Sequence, residues 1–98
     1  MSRLTVFAKI VAKKDAVDAV KRAALQIVAP TRAEEGCISY FLHQDNDNPC
    51  VFMFYENWTS EADLDKHMKT DHFKALVDAV SGITESISVN KFTLLDTK

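Results

Sequence analysis

Six consecutive apolar residues, Cys50 to Tyr55, run directly into Glu56, Asn57 and Trp58, and this stretch limits most severely what the chain can become. It is short and rich in aromatic residues. The turn formers Asp45 to Pro49 precede it and Ser60 follows it, so it reads as a strand. Alternation places Phe52, Phe54, Glu56 and Trp58 on one face and Val51, Met53, Tyr55 and Asn57 on the other. Both faces are apolar until the strand's end. Such a strand needs cover on both sides, which one layer of helices does not supply.

The rest of the chain supplies its neighbours. Leu4 to Ala12 alternates, with Leu4, Val6, Ala8, Ile10 and Ala12 forming one wholly apolar row. Asp15 is placed to cap a helix carrying Val17, Val20, Ala24, Ile27 or Val28, and Thr31 at helical spacing, and Asp18 adds a carboxylate to its first turn. Pro30 is expected to kink or end that helix, with a weak resumption to Glu35 and Gly36 as a terminator able to take positive φ. Cys37 to Gln44 reads as a second strand, joined by a hairpin to the apolar one. Ser60 and Thr70 are expected to cap two short helices, the second carrying Phe73, Leu76, Val77 and Val80 and ending at Gly82. Ile87, Val89, Phe92, Leu94 and Leu95 give a last strand whose parity shifts, which a bulge near Lys91 would explain.

The order β-α-β-β-α-β predicts an α+β, ferredoxin-like antiparallel sheet with helices on one face. At 98 residues one domain, 1–98, is expected. The other sheet face keeps Phe7, Val11 and Phe41, and a homodimer joined through it is the simplest cover.

Hydrophobic residues make up 47% of the chain and the net charge is −2, with acids and bases interspersed. This describes a globular protein without a nucleic-acid footprint or an anionic-membrane patch. No apolar run reaches membrane-spanning length. The N-terminus lacks the apolar core of a signal peptide, so a cytoplasmic location is expected. Cys37 and Cys50 form no CxxC pair and no zinc-spaced cluster, and read as reduced, partly buried thiols. Gly-rich phosphate loops, dinucleotide fingerprints, GxSxG and HExxH are absent, so no dedicated nucleotide or flavin site is expected.

His67 borders the inward face of its helix beside Leu64 and Met68, where an imidazole can serve as base or acid or can simply bond a backbone carbonyl. His72 stands in the first turn of the next helix, and His43 beside the hairpin. Glu56, in an apolar row, needs a partner. It can orient a histidine, act as a base of raised pKa, or pair across a dimer interface. Trp58 and Tyr40 can line a pocket for a flat ligand or be ordinary core aromatics.

Several blocks together resemble the antibiotic biosynthesis monooxygenase family of dimeric α+β barrel proteins. They are Val6 to Ile10 with Lys13-Lys14-Asp15, Ala29 to Cys37 with Tyr40, Phe54-Tyr55-Glu56-Asn57-Trp58, His67, and Thr70-Asp71-His72-Phe73. The resemblance implies two ferredoxin-like subunits packed sheet to sheet, each with a pocket between sheet and helices. It implies a cofactor-independent monooxygenase that oxidises a quinol-like or phenolic aromatic with O2. His67 would be the base. Tyr40, Trp58, His72, Phe73 and Phe54 would be pocket or donor groups, with Glu56 behind them. Haem-degrading relatives carry Asn, Trp and His where this chain has Ala8, His67 and Val77, so haem degradation is not expected. An isomerase of a small polar carbonyl compound, of the type that processes phosphorylated autoinducer-2, is the alternative, with Lys66, Lys69 and Lys74 as its only phosphate candidates. A non-catalytic binder of small molecules is a third reading.

Overall fold

The computed structural model describes residues 3–96. Its strands are β1 (Leu4–Ala12), β2 (Cys37–Gln44), β3 (Val51–Trp58) and β4 (Thr84–Phe92). Its helices are α1 (Val17–Gln26), α2 (Val28–Arg32), α3 (Glu61–His67) and α4 (Asp71–Val80), and a 3-10 turn, Lys14–Ala16, precedes α1. The strands form one antiparallel sheet in the order β2-β3-β1-β4, the ferredoxin-like arrangement expected from the element order.

The registers define two faces. On the helix-covered face, neighbouring strands place Tyr40, Glu56, Val6 and Lys91 in one row, then Leu42, Phe54, Ala8 and Val89, then Gln44, Phe52, Ile10 and Ile87. Val6, Phe52, Phe54 and Trp58 on this face join Val20, Ala24, Ile27, Leu64 and Val80 from the helices in one buried core. The open face carries Ser39, Asn57, Thr5 and Phe92 in one row and Phe41, Tyr55, Phe7 and Asn90 in the next. Phe7 packs against Tyr55 and Phe92, with ring centroids 5.2 Å apart in each pair. Thr5 Oγ1 donates to Asn57 Oδ1 at 2.7 Å, and Asn57 Nδ2 donates to Ser39 Oγ at 3.0 Å.

Pro30 interrupts the helix as expected, but the second segment begins before it, at Val28, and ends at Arg32, short of the expected Glu35. The helix breaks at Ile27, because a proline crowds the carbonyl of the fourth residue before it, here Gln26. In the new helix α2 its missing N–H falls in the first turn, where no intrahelical partner exists. Ser60 Oγ accepts from Asp63 N, and Thr70 Oγ1 accepts from Phe73 N, each at 3.2 Å, so both caps are present. Gly82 has φ +82° and terminates α4.

Four further expectations need correction. Asp15 does not cap α1: it lies inside the 3-10 turn, and no side chain caps either segment. Gly36 does not take positive φ. Its constraint is spatial, because a Cβ there would overlap Cβ and Cγ of Asp63. The register is regular through Lys91; the irregularities lie between Val11 and Ala12, opposite Ser86 and Thr84, and between Cys37 and Ser39. The parity shift in β4 arises because Ile87 and Val89 face the helices while Phe92 faces Phe7. Leu94 and Leu95 lie beyond β4, since Phe92 pairs with Thr5 and β1 begins at Leu4. No helix among the described residues is long and apolar enough to cross a membrane.

Candidate active site

The sheet and the α3–α4 pair frame a cleft that is partly open to solvent. Ala8, Ile10, Ile87 and Val89 form its floor. Leu64, Met68, Phe73, Leu76, Val77 and Val80 form its roof, and Tyr40, Phe54, Glu56 and His67 close one end. Ala8 makes room for it: the only small side chain in its row leaves a gap between Phe54 and Val89. The lining is apolar with a few polar groups, as small-molecule sites usually are.

His67 is the last residue of α3 and is only 2% exposed. Its position is fixed by the elbow to α4. Thr70 N and Thr70 Oγ1 both donate to the His67 carbonyl, at 3.1 and 2.7 Å, while Thr70 caps α4. The ring lies among aromatic neighbours, with centroids 4.8 Å from Trp58, 5.2 Å from Phe73 and 5.8 Å from Tyr40. Nδ1 is 2.6 Å from Oε2 of Glu34. The same oxygen is 2.7 Å from Nε2 of His72. A carboxylate accepts, so both imidazoles donate to it. His67 Nε2 is then left as an unprotonated nitrogen with no partner among the described residues. Burial pushes the His67 pKa below its ordinary value, with Glu34 pulling the other way. The resting ring is therefore neutral, with a free lone pair at the cleft wall.

Glu34 owes its place to the backbone after α2. Its N–H donates to Thr31 O at 3.0 Å, its carbonyl accepts from Cys37 N at 3.1 Å, and Arg32 Nε donates to Tyr40 O at 2.9 Å. The sequence gives no spacing signal for this residue, because it meets His67 and His72 across 33 and 38 positions. It stands within the Ala29–Cys37 block, which carried part of the family resemblance.

Glu56 is 3% exposed, and its Oε1 accepts from Trp58 Nε1 at 3.0 Å. It faces the cleft and not the open sheet face, which takes it away from a pairing across that face. Burial pushes its pKa up to about 7, against the indole hydrogen bond and with help from the negative Glu34. Burial, and then Glu56, also holds the Tyr40 hydroxyl protonated well above the usual range. The Cys37 thiol is pushed up to about 11, mainly by burial, which suits an inert thiol better than a nucleophile.

Of the residues singled out from sequence, His67, Tyr40, Phe54, Phe73 and Glu56 line the cleft together. Trp58 and His72 do not. Trp58 is fully buried behind Glu56 and His67, and His72 stands beside the site, bonded to Glu34 and with its ring centroid 5.9 Å from that of His67. His43 is exposed beside the hairpin, with Nδ1 3.3 Å from Met53 O.

Comparison with known proteins agrees with this frame. The uncharacterised Synechocystis protein sll1783 is 39% identical over 51 residues, a match covering 52% of this chain and 35% of that protein. The chain thus spans about a third of that relative's length. Rv0793 from Mycobacterium tuberculosis, whose name proposes a monooxygenase, is 33% identical over 72 residues, covering 74% of this chain and 70% of that one. Among solved structures, PA3566 from Pseudomonas aeruginosa superposes with a TM-score of 0.93 at 32% identity, over 97% of this chain and 96% of that chain. The family model described as antibiotic biosynthesis monooxygenase matches residues 3–79, which include every cleft residue but Val80, Ile87 and Val89. The chain belongs to the antibiotic biosynthesis monooxygenase family.

Proposed function

We propose that the protein is a cofactor-independent monooxygenase acting on a quinol-like or phenolic aromatic. The observation that carries this reading is His67: a buried imidazole bordering an apolar cleft, tied at Nδ1 to a carboxylate and unbonded at Nε2. Nε2 takes a phenolic proton from the bound substrate, and Glu34 stabilises the resulting imidazolium. The electron-rich anion passes one electron to O2, and the radical pair recombines at a ring carbon. The substrate supplies all four electrons: one oxygen atom enters the ring, and the other leaves as water with two substrate hydrogens. The apolar walls of the cleft exclude water from the reactive pair, and protonated Glu56 is a donor for charge developing on a substrate oxygen.

The cleft lining favours this over isomerisation of a phosphorylated compound. No lysine or arginine is part of it, and Lys66, Lys69 and Lys74 are exposed. An anionic phosphate would enter an apolar site without a counter-charge. We also propose that the open sheet face joins two copies of the chain.

The test is oxygen uptake by metal-stripped protein with a panel of quinols, wild type against His67→Ala. Uptake above the uncatalysed rate, lost by at least about 100-fold in the variant, is the expected outcome. Uptake that survives the substitution would remove His67 as the base, and no uptake with any quinol would remove the oxygenase reading.

A further inference from the structure

We propose that Glu34, His67 and His72 form a binding site for a divalent first-row transition-metal ion of the Zn2+ type, and that occupancy of this site turns the proton-accepting nitrogen of His67 into a donor. Each residue presents one ligand atom, and the three atoms lie within 4.8 Å of one another. They come from three separate parts of the chain: the turn after α2, the end of α3 and the start of α4. The α3–α4 elbow, closed by the Thr70 hydrogen bonds, holds the two histidines in place without help from a metal.

The donor set selects the ion. Two imidazoles and one carboxylate suit zinc, iron, cobalt or nickel, whereas calcium needs six or more oxygens and magnesium an octahedral oxygen shell. Three protein ligands also leave a fourth position for water, the open pattern of non-structural zinc sites. Tetrahedral bonds of about 2.1 Å set neighbouring ligand atoms roughly 3.4 Å apart. The present nitrogen–oxygen distances of 2.6 and 2.7 Å are those of hydrogen bonds. To admit the ion, the Glu34 carboxylate must move off both hydrogen bonds and the two imidazole nitrogens, now within 4.8 Å of each other, must come to that same tetrahedral spacing. Entry is from the surface, since the side chains of Glu34 and His72 keep 14% and 24% of their area exposed, while that of His67 keeps 2%.

The chemical consequence follows from the imidazole itself. A neutral ring that gives its Nδ1 lone pair to a metal carries its one proton on Nε2. The nitrogen beside the cleft then donates and no longer accepts. Metal and Glu34 hydrogen bond compete for Nδ1, so the two states exclude each other. The site rests on ligand geometry alone and stands or falls independently of the oxygenase reading.

Metal-stripped wild-type protein would be titrated with Co2+ and followed by visible absorption, with Zn2+ as competitor. The expected result is one Co2+ per chain with an intense low-coordinate spectrum, displaced by Zn2+, and affinity reduced at least about 100-fold in both Glu34→Gln and His72→Ala, more than the loss of an outer-shell partner causes. Circular dichroism would check that both variants fold. Absence of one-to-one binding, or binding that both variants retain, would overturn the site. The proton shift would be read separately, by long-range 1H–15N spectra of the imidazoles. On adding Zn2+, the Nε2 signal of His67 should change from unprotonated to protonated; an unchanged signal in the metal-loaded protein would overturn the switch.

Discussion

Glu56 sets the scale at which single residues matter in this fold. Its carboxyl faces an apolar cleft with one hydrogen-bond donor, Trp58, for its two oxygens, and burial pushes its pKa from 4.5 to about 7. The sign of its effect on stability follows. Below pH 4.5 it is protonated in both folded and unfolded chains and contributes nothing to the pH dependence. Between 4.5 and 7 the unfolded chain has released its proton while the folded chain retains it, so rising pH favours unfolding. Above 7 the full loss, about 3 kcal/mol for a shift of this size, is present. Glu56→Gln cannot titrate. Its stability relative to wild type should therefore rise by up to that amount between pH 4.5 and pH 8, measured by urea unfolding. An equal difference at both ends would mean that Glu56 ionises normally. The sequence showed that Glu56 needed a partner, because its row is otherwise apolar. It did not show Trp58 as that partner, because a residue two positions along the same strand face is one candidate among many. Nor did it show Glu34, whose role depends on a chain reversal that spacing does not encode.

At the scale of elements, local chemistry was legible and contacts between elements were not. The proline break and the Ser60 and Thr70 caps follow from residue types at fixed offsets. Gly36 reads as a helix terminator by the same logic, yet its φ is not positive, and its real constraint is the approach of Asp63 from the start of α3. That side chain cannot easily turn away, since it accepts from the hydroxyls of both Thr59 and Ser60. Two effects then oppose each other in Gly36→Ala. An alanine at an ordinary φ would stabilise by about 0.4–1 kcal/mol through the unfolded chain. Forcing a Cβ into occupied space costs about 1–3 kcal/mol. The overlap is with atoms held by a cap, so the second effect wins, and a net loss of about 1–2 kcal/mol is expected in the urea midpoint. A midpoint equal to or above wild type would show that Asp63 yields freely. The bulge after Cys37 belongs to the same class. It lets Cys37 join Tyr40 and Leu42 against the core, a parity that simple alternation assigns differently.

The whole molecule presents two unequal sheet faces. One is filled by helices. The other is bare in a single chain, and its aromatic row runs across three strands as Phe41, Tyr55 and Phe7, with Phe92 beyond Phe7. Phe41 and Phe92 are 48% and 49% exposed. Contiguous aromatic surface of this kind favours burial at about 25 cal/mol per Å². The Thr5–Asn57–Ser39 hydrogen-bond ladder beside it pairs the Thr5 hydroxyl, the Asn57 carbonyl and one Asn57 N–H within the chain, which lowers the cost of burying that row. In the proposed dimer, a second copy of the same face related by a two-fold axis would meet aromatic row with aromatic row. Phe41 and Phe92 are the residues to change, since Phe7 and Tyr55 are half-buried and also support the sheet itself. Gel filtration with light scattering at micromolar concentration should give twice the chain mass for wild type. Phe41→Asp and Phe92→Asp, which place a charge in the contact from both copies at once, should each shift the mass to that of one chain. If both variants keep the doubled mass, the copies meet elsewhere. If the wild type itself has the mass of one chain, the open face is free in solution, and its aromatic row awaits a different partner.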